Sequence, residues 1–342
     1  MSVYFITGAT GYIASMIIKH LAENINDSHV IALSRDSKRA EYKFETIIRE
    51  VESGQPNVER IFPRLGILQV DLCDSQWSEQ LCKEIPEIDY IIHCAAITSS
   101  LEMISHPVEV AASIVNATQN VLEFARHYKI KSMVYLSSME VYGDIESLGD
   151  NLVSESEAAI GRVELLHKRS CYPLGKRMAE NLCYNYFQEY GIPVKIARLA
   201  QTFGRGVLTS DNRIFTQIAR SIKSGTDIVL HTEGCSMGNY CAIDDVISGI
   251  LTIMERGQNG EAYNVVNEKN TMTIREMAEM AVSQVAKGNI SVCYDIPEDN
   301  RYGYAPDTGL KLSGRKLRSL GWEPKKDLVE MYREIVEDMD NS

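Results

Sequence analysis

The opening of the chain constrains the fold most, because a short strand pattern runs into a glycine turn and then into a helix pattern. Residues 3–6 are apolar strand formers, residues 7–11 read Thr-Gly-Ala-Thr-Gly, and apolar residues recur at helical spacing from Tyr12 onward. A helix that starts at such a turn directs its first amides toward it, and glycine lets a phosphate come close. The opening therefore predicts an anion site at the edge of a sheet.

The position of the glycine turn, more than its spacing, favours a dinucleotide as that anion. It is Gly8-x-x-Gly11-x-x-Ala14, which differs from the common G-x-G-x-x-G pattern. A small alanine can still serve at the third position, where the helix packs on the strand. The position of this turn at the start of an alternating strand–helix chain strengthens the prediction.

Composition sets the frame for the rest of the chain. The 342 residues are 44% hydrophobic and 24% charged, which predicts a packed core in one large domain or two ordinary ones. The net charge of −12 argues against nucleic acid and against an anionic membrane surface as partners. We find no basic export leader and no apolar run of about 18 residues. The eight cysteines are scattered without a C-x-x-C pair, so we expect reduced thiols in a cytoplasmic protein and no metal site.

Four more strand patterns follow the first, at 29–34, 66–71, 89–98 and 131–138, with helical patterns between them. Such alternation predicts an α/β fold with a doubly wound parallel sheet. Ligands of these sheets bind at the carboxyl ends of the strands. The residues that follow each strand are therefore the ones to examine for chemistry.

The end of the second strand decides between the two nicotinamide dinucleotides. An acidic residue there selects NAD through the ribose 2′-OH, whereas a nearby Arg suits the 2′-phosphate of NADP. This chain has Ser34 and Arg35, so we favour NADP over NAD; a solvated charged loop is the alternative. Asp71 stands where the adenine edge would lie, and the small pair Ala95 and Ala96 leaves room for a cofactor against the backbone.

Two groups of polar residues follow the fifth strand. Ser138 and Glu140 are two residues apart, so in an extended segment they would share one face. Tyr172 and Lys176 are four apart in a helix that should start near Pro173, which places them on one helical face. A lysine ammonium favours the phenolate and lowers the pKa of a tyrosine from about 10. Such a phenolate could take a proton from a sugar hydroxyl while hydride leaves the same carbon.

These motifs resemble the extended short-chain dehydrogenase/reductases, and in particular their nucleotide-sugar epimerases, dehydratases and decarboxylases. The resemblance covers essentially the whole chain, and residues 169–180 and 196–204 are especially similar to UDP-glucuronate decarboxylases. The motifs that carry it are Thr7-Gly-x-x-Gly-x-x-Ala14, His93-Cys-Ala-Ala96, Ser137-Ser-x-x-Val-Tyr-Gly143 and Tyr172-x-x-x-Lys176.

The resemblance implies a Rossmann-like fold and a role for each matching residue. Tyr172 would be the catalytic base, Lys176 its activator and a ribose ligand, Ser138 a hydrogen-bond donor to the sugar C4 oxygen, and Glu140 an aid at C5. The implied cofactor residues are Gly8, Thr10, Gly11, Tyr12, Ile13, Ser34, Arg35, Asp71, Leu72, Ala95, Ala96, Tyr172, Lys176, Leu199 and Gln201. The implied substrate residues are Thr98, Ser138, Gln201, Arg205 and Arg301.

The resemblance also implies two domains and a nucleoside-diphosphate sugar as substrate. Residues 1–204 and about 239–267 would bind NAD(P), while 205–238 and about 268–335 would form a smaller α/β substrate domain. Gly238 stands where the family usually has an Arg for the substrate diphosphate, so Arg205 and Arg213 are candidates to replace it and the nucleotide stays open. We expect a homodimer through the helices after strands four and five.

Three functions stay open at this level. The first is a redox-neutral epimerase, dehydratase or decarboxylase that acts through a transient 4-keto sugar. The second is an NADPH-dependent reductase of a nucleotide-linked keto sugar or other carbonyl, which Ser34 and Arg35 favour. The third is a non-catalytic NADP-binding regulator, against which Ser138, Tyr172 and Lys176 argue.

Overall fold

The first strand, β1 (Ser2–Thr7), lies inside a sheet and pairs in parallel with a strand on each side. The structure is a computed structural model that describes residues 1–24, 28–54, 65–145, 157–207, 211–298 and 307–341. All but one of the residues of β1 are buried, as the apolar sequence predicts. The strand therefore forms part of the core as well as leading into the glycine turn.

The sheet has seven strands in the order β11-β6-β5-β4-β1-β2-β3. Pairs β1–β2, β1–β4, β2–β3 and β4–β5 are parallel. The order from β3 to β6 is that of the dinucleotide-binding fold, and the α/β fold class predicted from the sequence is confirmed. The strands are β2 (Ser28–Ser34), β3 (Leu65–Gln69), β4 (Tyr90–His93), β5 (Ser132–Ser138), β6 (Val194–Leu199) and β11 (Ala262–Val265).

Eleven α-helices lie within the described ranges given above. They are α1 (Tyr12–Asn24), α2 (Ser37–Gly54), α3 (Trp77–Glu84), α4 (Ser100–Ser105), α5 (Pro107–Ala125), α6 (Cys171–Tyr190), α7 (Ile214–Ser224), α8 (Ile243–Arg256), α9 (Ile274–Met280), α10 (Arg315–Arg318) and α11 (Leu328–Asn341). None of the helices in those ranges is long and apolar enough to span a bilayer.

The chain divides into two compact units. The first consists of residues 1–143, 163–198 and 250–263, and the second of 144–162, 199–249 and 264–342. The domain limits and the substrate role of the smaller domain, as expected from the sequence, stay predictions.

Aromatic packing builds much of the core of the first unit. The Phe5 ring from β1 stacks on Phe124 from α5 at 4.7 Å between centroids, and Trp77 packs on Phe124 at 5.0 Å. Tyr172 belongs to the same apolar cluster and is 6% exposed. The phenol is therefore fixed by the core and is not carried on a loose surface loop.

The second unit contains three two-stranded pairs. Strands β7 (Gln201–Phe203) and β10 (Tyr240–Ala242) are parallel, as are β8 (Ile228–Leu230) and β13 (Val292–Tyr294). Strands β9 (Met237–Gly238) and β12 (Met272–Thr273) are antiparallel. A group of buried rings, Phe203, Phe215, Tyr240 and Tyr332, forms part of its core.

Local hydrogen bonds set the bounds of two elements. Strand β4 ends at His93 instead of residue 98, because the Ala95 amide leaves the ladder and donates to Thr7 Oγ1 at 3.2 Å. Helix α2 begins at Ser37, where Asp36 Oδ1 accepts the Arg39 amide at 3.0 Å and caps the first turn.

Candidate active site

Helix α6 carries both Tyr172 and Lys176 into the core of the first unit. It begins at Cys171, so Pro173 lies in the first turn, where a missing amide is tolerated. Gly175 lies against α5, since a Cβ added there would be 3.4 Å from the Ile114 side chain. The glycine thus allows α6 to approach α5 closely, which places the neighbouring Lys176 in the interior.

Lys176 is 3% exposed, and its ammonium donates to the Leu136 carbonyl at 2.7 Å. The same nitrogen lies 4.7 Å from the ring centroid of Tyr135 and 5.9 Å from that of Tyr172. Burial lowers the pKa of Lys176 to about 8, and the Glu180 carboxylate opposes that shift. The structure therefore brings the predicted activating cation close to the predicted base.

Ser138 and Glu140 do lie close together, but not through an extended segment as the sequence suggested. Residues Met139–Tyr142 form a 3-10 turn directly after β5, and Ser138 Oγ accepts the Glu140 amide at 3.2 Å. The serine side chain caps the turn, and this local hydrogen bond competes with a continued strand. The prediction of an extended segment was wrong for that reason.

Arg169, which sequence reasoning did not single out as a site residue, is the partner of Glu140. Its guanidinium donates to both carboxylate oxygens, at 2.7 and 3.2 Å. The side chains are 22% and 29% exposed, so the pair is largely shielded from water. Burial alone would lower the pKa of Arg169, but its hydrogen bond to Glu140 holds that pKa above its ordinary value. Glu140 is thus held in one orientation by a bidentate partner.

The two glycines of the turn meet different structural requirements. Gly8 has a φ of +66°, and a Cβ there would lie 2.8 Å from the Ala95 Cα, so no other residue is accommodated without strain. The Gly11 amide donates to the Gly8 carbonyl at 2.8 Å and closes the turn. Helix α1 starts at the next residue, so the turn leads directly into the N-terminus of a helix, the end that attracts anions.

A buried histidine fixes the turn to the end of β4. Thr118 Oγ1 donates to the Ile114 carbonyl at 2.6 Å, so it accepts from His93 Nε2 at 3.1 Å. His93 Nδ1 is then the acceptor for the Thr7 hydroxyl at 2.7 Å. Burial lowers the pKa of His93 to about 3, with Lys176 adding to that effect, so the ring is neutral and structural.

The residues expected at the adenosine end lie after β2 and β3 in the same unit. Ser34 Oγ donates to the Asp36 carbonyl at 3.0 Å, and the exposed Arg35 is 3.6 Å from Glu109. Asp71 Oδ1 accepts the Cys73 amide at 3.0 Å. Their roles as cofactor residues stay predictions, as does that of Leu72, whose carbonyl accepts from Asn120 at 2.8 Å.

Lys43 is a second cation that the sequence did not point out. Its ammonium donates to the Thr10 carbonyl in the glycine turn at 2.9 Å. Burial, together with the positive charge of Arg39, lowers the pKa of Lys43 to about 8. Two like charges are therefore held near the turn, an arrangement that an anion would stabilise.

Of the predicted residues not yet placed, Tyr12, Ile13, Ala96 and Thr98 lie in the first unit with Tyr172, and Thr98 is exposed between β4 and α4. The remaining ones do not lie in that unit. Leu199 and Gln201 belong to the second unit, where the Gln201 amide donates to the Asn239 carbonyl at 2.8 Å. Arg205 pairs there with Asp244 at 2.7 Å, and Arg213 pairs with Asp211. Arg301 lies outside the described residues.

Comparison with known proteins agrees with this architecture. The NAD dependent epimerase/dehydratase family matches residues 4–266. UDP-glucuronic acid decarboxylase 6 of Arabidopsis thaliana is 26% identical over 337 residues, 97% of this chain and 87% of the relative. The dTDP-D-glucose 4,6-dehydratase of Homo sapiens is 26% identical over 346 residues, 96% of this chain and 89% of the relative.

A solved structure shows the same fold at low sequence identity. It is UDP-glucuronic acid 4-epimerase from Bacillus cereus in complex with UDP-glucuronic acid and NAD, with a TM-score of 0.74, 20% identity and 99% coverage of both chains. The resemblance read from the glycine turn, the Ser-Ser turn and the Tyr-Lys pair is confirmed. The chain is a member of the NAD dependent epimerase/dehydratase family, the extended short-chain dehydrogenase/reductases.

Proposed function

We propose that the protein is a nucleotide-sugar epimerase- or dehydratase-type enzyme that acts through a transient 4-keto sugar. The observation that carries this proposal is the assembly of Ser138, Glu140, Tyr172 and Lys176 at the end of β5 and the start of α6, inside one unit. Decarboxylases, dehydratases and 4-epimerases among the similar proteins support the substrate class.

The bound dinucleotide would supply reversible two-electron oxidation of the C4 carbinol. Tyr172, as phenolate, takes the proton of the C4 hydroxyl, and Lys176 stabilises that phenolate. The Ser138 hydroxyl donates to the C4 oxygen. Each of these groups returns to its starting state when Tyr172 gives the proton back at the end of the cycle.

Glu140 would act on the ketone form of the sugar. A carbonyl at C4 makes the C5 proton acidic, and a carboxylate nearby can accept it. The fixed guanidinium of Arg169 pairs with the ionised carboxylate, which is the form a base requires. Met139 stands where some dehydratases of the family place an acidic residue. We therefore favour 5-epimerisation or decarboxylation over the reaction of the dehydratases that use this acidic residue.

We infer NADP as the preferred dinucleotide, although the similar structure holds NAD. Ser34 offers a hydroxyl and no carboxylate at the end of β2, and Arg35 follows it. Lys43 at the Thr10 carbonyl, with Arg39 close by, adds positive charge near the turn. A 2′-phosphate would neutralise part of this charge.

The second unit would bind the nucleoside diphosphate. Arg205 is oriented by Asp244, which also accepts from Lys326 at 2.5 Å, and Lys326 pairs with Glu334 as well. A guanidinium pairs bidentately with phosphate oxygens. The roles of Arg205, Gln201 and Arg301 in that site are part of this proposal.

We also propose a homodimer in the cytoplasm. On α6, Met178 and Tyr184 are 47% and 48% exposed, and Val108 at the start of α5 is 82% exposed. A second copy of the chain would cover these apolar side chains. Light scattering of the purified protein tests this, and a monomer at micromolar concentration would refute the dimer.

The proposed function is tested with a panel of UDP-, dTDP-, GDP- and CDP-sugars, with and without NADPH. A changed sugar without net loss of NADPH is the expected result. Loss of one NADPH for each product would identify the reductase instead, which Ser34 and Arg35 keep open as the second candidate. Cofactor binding without turnover of any sugar would identify a non-catalytic regulator.

A further inference from the structure

A buried charged cluster joins the turn after β5 to helix α6. It consists of Ser137, Tyr142, Glu180 and Arg198, and we call it the Glu180–Arg198 cluster. Arg198 donates to the Glu180 carboxylate through Nη2 at 2.7 Å and Nε at 3.0 Å. Ser137 Oγ donates to Glu180 Oε1 at 2.5 Å, and Arg198 Nη1 donates to the Tyr142 hydroxyl at 3.1 Å.

Stability alone is a weak reason for such a cluster. Glu180 and Arg198 are 9% and 6% exposed. Removing two charges from water costs several kcal/mol for each ion, and apolar residues of similar volume often replace a buried pair without loss. The arrangement is better explained by what it positions.

The members of the cluster flank the proposed catalytic residues on both elements. Ser137 precedes Ser138, Tyr142 ends the turn that contains Glu140, and Glu180 is one helical turn beyond Lys176. Arg177 adds a further link, because its Nε donates to the Val141 carbonyl at 2.8 Å. Both ends of the Ser138–Glu140 segment are thus attached to the helix that carries Tyr172 and Lys176.

We propose that Glu180 and Arg198 are positioning residues that hold the Ser138–Glu140 turn in place beside Tyr172 and Lys176, with Glu180 as the anion that faces the Lys176 ammonium. This inference rests on the proposed function, since it assigns the cluster a purpose in that reaction. Neither residue needs to touch the substrate. Their effect passes through the groups they hold.

The surroundings of Lys176 give Glu180 its electrostatic role. Titratable groups from β4, β5 and α6 act on this lysine or lie against it: His93, Cys94, Tyr135, Tyr172, Glu180 and Cys183.

Most of these groups are uncharged at neutral pH. Burial lowers the pKa of His93 to about 3, raises that of Cys94 to about 12, and raises those of Tyr135 and Cys183 above their ordinary values. Glu180 is the carboxylate among them, and it offsets part of the burial that lowers the pKa of Lys176 to about 8. Loss of the Glu180 charge should therefore lower the pKa of Lys176 further.

The test compares Ser137→Ala and Glu180→Gln with Glu123→Gln as the matched control. Like Glu180, Glu123 accepts a 2.5 Å hydrogen bond from a hydroxyl group and pairs with an arginine. Its partners are Tyr186 and Arg126, and neither is a proposed catalytic residue. Ser137→Ala and Glu180→Gln should lower kcat by about ten- to a hundredfold, because small misplacement is costly in catalysis. The KM for the sugar and the Kd for the cofactor should stay within about twofold.

The pH profile separates positioning from general damage to the fold. If protonated Lys176 is required, kcat falls as pH rises through its pKa, near 8 in the unaltered protein. Glu180→Gln should move this alkaline limb to lower pH, whereas Glu123→Gln should leave it in place. Variants of Ser137 and Glu180 that fold, yet match Glu123→Gln in both kcat and pH profile, would overturn the inference.

A measurement without substrate keeps the two proposals distinct. NMR titration of ¹⁵N-lysine-labelled protein reports the pKa of Lys176 directly, and that pKa should fall in Glu180→Gln but not in Glu123→Gln. An unchanged pKa would contradict the inference even if the unaltered protein converts sugars. Conversely, absence of sugar turnover by the unaltered protein, together with the expected pKa change, would overturn the proposed function alone. If Glu180→Gln does not fold, the kcat of Ser137→Ala decides.

Discussion

The two ends of the first unit to which we assign functions hold their charged residues in opposite ways. After β5, the pairs Arg169–Glu140 and Arg198–Glu180 are largely shielded from water, with Arg198 and Glu180 side chains 8% and 11% exposed. After β2, Arg35 and Glu109 are 64% and 58% exposed and 3.6 Å apart. The first arrangement fixes geometry, while the second leaves charge at the surface.

The difference agrees with the roles that we propose for the two ends, which are catalysis after β5 and dinucleotide selection after β2. Breaking a buried pair costs about 3–5 kcal/mol, whereas an exposed pair contributes only about 0–1 kcal/mol. The residues that we propose to position reacting atoms are therefore tied into the fold. The arginine that we propose to distinguish one dinucleotide from another can change without disturbing the fold. Substitutions at the two ends should differ accordingly in size and kind.

The largest effect on the buried end is expected for Tyr172→Phe. The ring still fills its place in the core, so the fold and the cofactor affinity should stay within a few-fold. Turnover should fall by about two or more orders of magnitude, because the acid–base group is gone. Steady-state kinetics measures this, with Tyr186→Phe on the same helix as the control. Near-normal turnover of Tyr172→Phe would refute Tyr172 as the base.

Gly8→Ala tests how firmly the glycine turn is packed against the end of β4. A left-handed φ costs about 1–2 kcal/mol for alanine, and the contact with Ala95 adds about 1–3 kcal/mol of overpacking. We expect the free energy of unfolding to fall by about 2–5 kcal/mol in denaturant melts. Gly191 is the control, since its φ of +70° is similar but a Cβ there meets no atom within 4 Å. Equal losses in both variants would contradict the packing argument.

Glu140→Gln should lower overall turnover less than Tyr172→Phe does. Its main effect should be on one step, the removal of the C5 proton. Gln can still accept from Arg169, so the side chain keeps its orientation while it loses the ability to take a proton. We expect turnover to fall by about tenfold or more. In D₂O, this variant should no longer incorporate deuterium at the sugar C5. Unchanged incorporation in Glu140→Gln would show that another group handles the C5 proton.

The fold was predictable because its signals are local. The glycine turn, the apolar strand patterns and the Tyr-Pro-x-Gly-Lys segment each reveal an element within a few residues. Partner residues were not predictable in the same way: Arg169 is 29 residues from Glu140, and Arg198 is 18 from Glu180. Sequence order does not show that such side chains meet.

Two signals could still have pointed to the buried cluster. Arg198 shares the buried strand β6 with Lys195 and four apolar residues, and a cation in such a strand needs a buried partner. Glu180 follows Lys176 by four residues and so shares its helical face. The serine cap is harder to predict, because Ser138 both ends β5 and bonds to the backbone of the turn that follows.

The smallest expected effect is at the exposed end, for Arg35→Ala. The arginine is open to solvent, so its removal should leave the free energy of unfolding unchanged. Its loss should weaken NADP by about three- to fivefold and NAD by less, because only NADP carries the 2′-phosphate. Fluorescence titration with both dinucleotides measures this, with Arg126→Ala, another exposed arginine paired with a glutamate, as the control. Equal weakening of NADP and NAD would remove the argument for NADP and would leave Arg35 as an ordinary surface charge.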